Sequence, residues 1–287
     1  MDLRLRGSVK TSETWASLYV GLAKVLDLRH VPDRGFRLRA HETLTTPKNR
    51  WESSWDRKWW KEDALAAKWD DVDLYLERVI PSVEKRSLVE GALQSAISVF
   101  ANEEMLPIDR EAALVYTNQA EKDLIKRQLE RPLLNAVGVP GKGRWWNSIP
   151  ETLGGECDVL AINKEGMLLA IEVKPRTSTS TIRWAPLQAR HYANLFSEWI
   201  HGERGVGQDT AKVVLDKMVN QRLDLGLITD ARYVSLPIRV QPVIAVGRGF
   251  SSAAIHGLNE VQERLELAGK NDPPLLIRQA TLWGELE

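Results

Sequence analysis

The chain has 287 residues and carries 39 basic and 39 acidic side chains, so its formal net charge is zero and a protein that wraps duplex DNA through charge alone is disfavoured. No stretch approaches the roughly 18 consecutive apolar residues of a membrane helix, and the N-terminal residues lack the apolar stretch of a signal peptide, so we expect a cytoplasmic protein with no membrane partner. The single cysteine, Cys157, excludes an internal disulfide and a cysteine-only zinc or iron–sulfur site.

Residues 1–110 are predicted to form a mostly helical region that recognises a target or a partner. Apolar residues recur at helical spacing in three segments, which are 14–28, 61–80 and 82–100. Pro81 is expected to separate the last two helices, because proline removes a helical hydrogen bond and clashes with the preceding turn.

A polar segment rich in tryptophan, residues 39–63, lies between the first two of these helices. Trp51, Trp55 and Trp59 recur every four residues, so on a helix they would form one stripe. Aromatic stripes at this spacing usually pack against the rest of a protein, and we favour that interpretation. The alternative is a platform on which exposed bases stack, in which case Trp55 and Trp59 bind nucleic acid.

From about residue 111 the pattern alternates between helices and strands. The predicted elements are a helix over 110–134 that ends near Pro132, strands over 157–163 and 167–174, helices over 185–200 and 210–225, a strand over 239–248, a helix over 251–269 and a strand over 274–283. A Gly/Pro-rich link over 138–155 precedes the first strand. This order predicts an α+β domain over residues 111–287, in which a central mixed β-sheet is flanked by helices.

The two strands at 157–163 and 167–174 are predicted to form a hairpin that gathers chemically active side chains. Glu172 and Lys174 point to one face because residues two apart on a strand share a face. The turn between the strands folds Asp158 back beside this pair. Two carboxylates at one strand end offer hard oxygen ligands that suit Mg²⁺ or Mn²⁺, and a nearby ammonium group can stabilise the transition state of phosphodiester cleavage.

The Glu-x-Lys triplet is a weak signal when it is taken alone, since one is expected by chance in a chain of this length. A surface ion pair on an edge strand is the alternative interpretation. The strand before Glu172 is continuously apolar, which indicates burial on both faces. A charged pair that ends a buried strand favours a functional site over simple solvation.

The segments Gly155-Glu156-Cys157-Asp158 and Ile171-Glu172-Val173-Lys174 resemble the PD-(D/E)XK nuclease superfamily. The resemblance implies a restriction-endonuclease-like fold and a hydrolase that uses Mg²⁺ or Mn²⁺ as its cofactor. It implies that Asp158, Glu172 and the carbonyl group of Val173 bind the metal, and that Lys174 is catalytic. Cys157 stands where the proline of the family's name is found.

Two further features extend the resemblance, which covers about residues 111–250. The family places an acidic residue on a helix before the hairpin, and Glu121 fits that place, with Asp123 and Glu130 as alternatives; the resemblance implies that Glu121 completes the metal site directly or through water. The RecB-like branch carries Gln-x-x-x-Tyr on the helix after the lysine, which here is Gln188 to Tyr192. Residues four apart share a helix face, so both side chains are expected to face the cleft.

Three arginines follow the hairpin and are candidates for contacts with the phosphates of a nucleic acid. They are Arg176, Arg183 and Arg190. The alternative for each of them is an ordinary solvated arginine. His191 lies inside the Gln-x-x-x-Tyr segment and is interpreted as a surface histidine of the helix, with a role as general base as the alternative.

The residues and the resemblance together predict a metal-dependent nuclease that acts on DNA, with RNA as an alternative substrate. A homodimer is an expectation for cleavage of a duplex. The competing hypothesis is a catalytically inactive nucleic-acid-binding or assembly protein that keeps the nuclease fold, because a fold does not imply an activity.

Overall fold

The computed structural model describes residues 2–7, 11–84, 90–102, 104–114, 116, 118–138 and 149–287. The chain divides into two compact units, Met1–Ser95 and Ala96–Glu287, so the boundary lies earlier than the predicted one at residue 110. Most of the Gly/Pro-rich link, residues 139–148, lies outside the described residues. In the described part, no helix combines the length and the apolar character that crossing a membrane requires.

The N-terminal unit contains an antiparallel sheet, so the prediction of a mostly helical region was wrong. Its four strands lie in the order β1-β2-β3-β4. They are β1 (Asp2–Gly7), β2 (Thr14–Val20), β3 (Ala23–Val31) and β4 (Gly35–Arg39).

The segment predicted as a helix over 14–28 is a hairpin. Val20 pairs with Ala23, so Gly21 and Leu22 form a two-residue turn. Gly21 has φ +59, and glycine at the first position of such a turn is typical of tight hairpins. The apolar residues of the segment fit both the helical period of 3.6 residues and the strand period of two. Its β-branched and aromatic side chains and this glycine favour the strand.

Three helices follow the sheet. They are α1 (Glu62–Ala66), α2 (Trp69–Glu84) and α3 (Glu90–Val99). Two of the predicted helices therefore exist with shifted bounds, and Pro81 lies in the last turn of α2 instead of between helices. The tryptophan segment forms turns, so the predicted helical stripe was wrong. Trp51 and Trp55 are nonetheless core residues, and both contact the ring of Tyr75 edge-on.

The C-terminal unit contains a mixed sheet flanked by helices, as predicted. Its five strands lie in the order β5-β6-β7-β8-β9. They are β5 (Met105–Ala112), β6 (Cys157–Asn163), β7 (Leu168–Lys174), β8 (Val240–Gly247) and β9 (Leu276–Ala280). The pairs β5–β6 and β6–β7 are antiparallel, whereas β7–β8 and β8–β9 are parallel.

The helices of this unit are α4 (Gln119–Val137), α5 (Thr179–His201), α6 (Gln208–Asp224) and α7 (Ser252–Leu267). The helix predicted over 110–134 was too early, because β5 occupies its first residues. Asn118 begins α4 by accepting a hydrogen bond from the backbone N–H of Glu121. Pro132 lies inside α4 and does not end it.

The central strand β7 is buried along its whole length, which confirms the prediction from its continuous apolar sequence. Helix α5 connects it toward β8 and packs against β7, β8 and α7. The carboxyl end of β7 therefore lies beside the beginning of α5, so the motif residues of the hairpin and of this helix meet at one end of the sheet.

Candidate active site

The hairpin β6–β7 brings together the residues that the sequence predicted. Asn163 closes its turn, because its side-chain oxygen accepts hydrogen bonds from the backbone N–H groups of Glu165 and Met167. Gly166 has φ +77, and a Cβ there would lie 2.2 Å from the Ser235 hydroxyl oxygen, so glycine is required. The resulting register pairs Val159 with Ile171. The next residues toward the open end are Asp158 and Glu172.

Asp158 lies where β6 and β7 separate, and its side chain accepts a hydrogen bond from the backbone of β7 in place of a carbonyl group of β6. Its Oδ2 accepts a hydrogen bond from the backbone N–H of Val173 at 2.8 Å. This bond holds the carboxylate against β7, on the side where Glu172 and Lys174 flank Val173. Asp158 as a residue is partly exposed, whereas its carboxyl group is enclosed.

Glu172 and Lys174 form a buried ion pair. The Lys174 ammonium group lies against Oε1 of Glu172, and the two side chains are 8% and 2% exposed for Lys174 and Glu172 respectively. Burial is the main cause that raises the pKa of Asp158 well above its usual range, and the charge of Glu172 raises it further while Lys174 opposes the shift. The carboxyl group of Glu172 is thus close enough to that of Asp158 to act on its pKa. The three groups therefore form one electrostatic unit.

The donor set fits a divalent cation of the magnesium type. Two carboxyl groups held in contact repel each other when both are ionised, and an oxygen-preferring cation relieves that repulsion. Asp158, Glu172 and the carbonyl oxygen of Val173 would hold the ion. Within the described residues, no group of three His, Cys, Asp or Glu side chains could hold a metal, so waters or substrate oxygens would complete the coordination.

Tyr192 lies among these charges and is buried. Its pKa is raised above its ordinary value, first by burial and then by the negative charges of Glu172 and Asp158. Gln188 lies one turn earlier on the same face of α5 and opposes this shift of the Tyr192 pKa. The chain before β6 passes close to this hydroxyl group, since a Cβ at Gly154 would lie 2.8 Å from it.

Glu121 lies in a different place from the one predicted. It lines a pocket of about 200 Å³ together with Tyr116, Glu198, Trp199 and Arg204. It joins no group with Asp158 and Glu172 that could hold a metal among the described residues. A role as their partner ligand is therefore unsupported by the geometry.

Glu130 is the acidic residue of α4 that contacts the segment leading into the site. It is 7% exposed, and its Oε2 accepts a hydrogen bond from the backbone N–H of Leu153 at 3.2 Å. Leu153 precedes Gly154, which approaches the Tyr192 hydroxyl group. Asp123, the other alternative, is exposed and accepts a hydrogen bond from Gln119.

Lys126 is a residue near the site that the sequence reasoning missed. Its Nζ would lie 3.3 Å from a Cβ at Gly155, so the absence of a side chain at Gly155 makes room for it. Lys126 and Glu130 are four residues apart and share a face of α4. The spacing of Lys126 and Glu130 on one face of α4, together with the polar residues of the link before β6, could have indicated from the sequence that this face meets the link.

His191 is fully buried, so the interpretation as a surface histidine was wrong. Burial and the positive charge of Lys126 lower its pKa to about 4, so its imidazole is neutral at pH 7. A neutral, enclosed imidazole has no access to a substrate water, which argues against a role as general base.

The three arginines after the hairpin have different environments. Arg190 is 2% exposed and donates hydrogen bonds to Asn271 and to the carbonyl of Pro273, so its assignment to phosphate binding was wrong. Arg183 packs across α7, where a Cβ at Gly257 would lie 2.4 Å from its Nε. Arg176 is exposed just beyond β7 and remains the candidate for a phosphate contact.

The two candidate tryptophans also differ. Trp55 is fully buried, so it belongs to the core of the N-terminal unit and does not bind nucleic acid. Trp59 is partly exposed and lies under the guanidinium group of Arg37, 4.4 Å from the ring centroid.

Comparisons of this chain with protein families, curated proteins and solved structures found no match. The chemical interpretation of the site therefore depends on its own residues. Those residues are a carboxyl pair, a buried lysine and a tyrosine at the end of a central strand.

Proposed function

We propose that the C-terminal unit is a metal-dependent nuclease that hydrolyses phosphodiester bonds in DNA. The observation that carries the proposal is the contact of Asp158, Glu172 and Lys174 at the carboxyl end of β7. Burying two carboxyl groups and an ammonium group costs several kcal/mol of stability unless they are paired. An apolar strand end would hold the fold at lower cost, so the cluster is better explained by chemistry.

Each residue of the cluster has a distinct role in this proposal. A bound Mg²⁺ or Mn²⁺ would polarise the scissile phosphate and lower the pKa of a water molecule. Asp158, Glu172 and the Val173 carbonyl would hold the ion. The Lys174 ammonium group donates hydrogen bonds to the attacking water and offsets the negative charge that develops on the phosphate.

Tyr192 and Gln188 support this arrangement as positioning residues. The Tyr192 hydroxyl group lies in the field of both carboxylates, and Gln188 lies on the same face of α5. It therefore orients either Lys174 or a phosphate oxygen without transferring a proton, because its raised pKa keeps it protonated at neutral pH.

The direct test is a cleavage panel. The full chain is incubated with linear, circular, single-stranded and branched DNA and with RNA, each with Mg²⁺, with Mn²⁺ and with a chelator. The proposal predicts metal-dependent cleavage of at least one DNA form, and loss of that cleavage in Asp158→Asn. RNA cleavage without DNA cleavage would overturn the choice of substrate.

The competing function is an inactive binding or assembly protein with the same fold. The retained carboxyl pair argues against it, because clustered negative charge repels a phosphate backbone when no cation is present. Calorimetric titration with Mg²⁺ and Mn²⁺ separates the two. Absence of binding at millimolar concentration favours the inactive protein, and binding that Asp158→Asn removes supports the nuclease.

A further inference from the structure

One face of the sheet in the N-terminal unit is covered only in part, because Ser17 and Asp27 on it are buried, whereas Arg29, Arg37 and Arg39 are half-buried or exposed. Leu28, Phe36 and Leu38 point into the core that α2 completes. Side chains alternate along a strand, so Arg29, Arg37 and the neighbouring residues on their side point to the opposite face. This second face, which we call the arginine face, comprises Trp15, Asp27, Arg29, Arg37 and Arg39, with Arg34 in the turn before β4.

Register aligns guanidinium groups with aromatic rings across this face. Trp15 pairs with Arg29, and Arg29 pairs with Arg37. The guanidinium group of Arg29 lies 5.3 Å from the ring centroid of Trp15, and that of Arg37 lies 4.4 Å from the ring centroid of Trp59.

Trp59 lies on the arginine face because the next residue, Trp60, pairs with the edge of the sheet. Trp60 pairs with Phe36 through two backbone hydrogen bonds, so Trp60 shares the core face with Phe36 and Trp59 takes the other face. Gly35 permits this pairing, because a Cβ there would lie 2.2 Å from the carbonyl oxygen of Trp60.

The arginine face carries more positive than negative charge. Glu13 pairs with Arg29 at 3.0 Å, and Asp27, which shares the face, lies 3.8 Å from Arg29. Arg34, Arg37 and Arg39 make no ion pair or side-chain hydrogen bond with any described residue. Burial lowers the pKa of Arg37, and repulsion from Arg39, Arg29 and Arg34 lowers it further, although Glu13 opposes the shift. Like charges on neighbouring strands destabilise a sheet, so this cluster is not explained by the fold.

Open pockets lie at both ends of the arginine face. One of about 460 Å³ is lined by Arg34, Arg37 and Trp59. The other, of about 580 Å³, is lined by Lys24, Arg29 and Arg39. The linings also include Glu13 and Asp33 in the first pocket and Asp27 in the second, so basic side chains outnumber acidic ones in the two pockets together.

We propose that the arginine face binds a single strand of nucleic acid. Unneutralised arginines bind phosphates, whose geometry matches the guanidinium fork. Tryptophan rings and guanidinium planes stack with unpaired bases, which a duplex does not offer and an acidic peptide lacks. The proposal does not depend on nuclease activity, since the site lies in the N-terminal unit.

The test measures binding of a fluorescent oligo-dT strand to the full chain by anisotropy, in a chelator so that no metal-dependent cleavage occurs. The test variant is Arg34→Gln/Arg37→Gln/Arg39→Gln. The matched control is Arg57→Gln/Lys58→Gln/Arg78→Gln, which removes the same charge from exposed positions of the same unit. Circular dichroism checks that both variants fold. If the triple test variant does not fold, Arg34→Gln/Arg39→Gln, which changes only two exposed positions, replaces it.

The test variant is expected to bind roughly tenfold or more weakly, and its slope of log K against log salt should fall by about 2, since each phosphate contact to a single strand contributes about 0.7. The control should bind like the wild-type chain. The proposal is overturned if the test variant binds normally, if the control loses as much affinity, or if a matched duplex binds more tightly than the single strand. None of these outcomes depends on whether the C-terminal unit cleaves DNA.

Discussion

The carboxylate of Asp158 accepts a hydrogen bond from the backbone N–H of Val173 at 2.8 Å. Because Val173 is flanked by Glu172 and Lys174, this bond ties the Asp158 side chain to the part of β7 that carries both charged groups. The site is thus built by strand register, and each of its members can be tested separately.

Asp158→Asn should make the protein more stable and inactive at the same time. The raised pKa of Asp158 shows that its ionised form is disfavoured in the folded state, so stability falls as pH rises through that pKa. An asparagine still accepts the bond from Val173 without the charge. We expect the melting temperature in a chelator to rise by a few degrees, as measured by calorimetry.

The same experiment has a metal arm. Mg²⁺ should raise the melting temperature of the wild-type chain, because a ligand that binds the folded state stabilises it, and should leave Asp158→Asn unchanged. Equal stabilisation of both proteins would show that the ion binds elsewhere.

Tyr192 and Gly154 should behave as a coupled pair. Tyr192→Phe removes the hydroxyl group and should lower the cleavage rate about tenfold with little effect on folding. Gly154→Ala places a Cβ 2.8 Å from that hydroxyl oxygen, whereas the nearest ring carbon lies at 3.8 Å. Gly154→Ala should therefore cost more activity in the wild-type chain than in Tyr192→Phe.

A double-mutant cycle on the cleavage rate and the melting temperature measures this coupling. The backbone strain at Gly154, which has φ +86, is common to both backgrounds and cancels. Strictly additive effects would show that the two residues do not touch in solution.

Arg190 and Arg176 should separate stability from substrate binding. Arg190→Gln leaves the carbonyl of Pro273 without its buried donor and should cost about 2–4 kcal/mol of unfolding free energy. Arg176→Gln lies at an exposed position, so it should change stability by less than about 0.5 kcal/mol and should raise KM. Denaturant titration and steady-state kinetics check both, and a reversed pattern would refute these assignments.

His191 should contribute to acid sensitivity. Its pKa falls from the ordinary 6.5 to about 4 on folding, so the unfolded chain binds the proton more tightly. The stability linked to His191 is fully present above pH 6.5 and is lost as the pH falls toward 4, by about 3 kcal/mol in total. Replacing the exposed His256 with leucine is the control for His191→Leu.

Melting temperatures measured from pH 7 to pH 4 test this linkage. His191→Leu should show a flatter profile than the wild-type chain, and His256→Leu should not. A wild-type profile in His191→Leu would place the acid sensitivity in other groups.

The sequence predicted the parts of the molecule that depend on local patterns. The apolar run of β7, the turn before it and the spacing of Gln188 and Tyr192 are all local, and the structure confirms their placement. The position of Asp158 beside Glu172 and Lys174 also followed, because a hairpin with a short turn leaves few alternative positions for that side chain.

The errors arose where tertiary packing decides between local alternatives. Residues 14–28 fit a helical and a strand period, and only Gly21 marked the turn. The face of α4 that meets the segment before β6 is set by packing, so Glu130 could not be preferred to Glu121 from sequence. Arg190 was misassigned because its partners, Asn271 and Pro273, lie far along the chain.

The most direct test of the central claim compares Lys174→Met with Lys164→Met in one metal-dependent cleavage assay. Both variants remove a lysine from the same hairpin, but Lys164 lies at its turn, where it pairs with the exposed Glu104. We predict that Lys174→Met folds, still binds Mg²⁺ and loses cleavage by a factor of about 100 or more, whereas Lys164→Met cleaves like the wild-type chain. Cleavage by a folded Lys174→Met at the wild-type rate would contradict the assignment of this site.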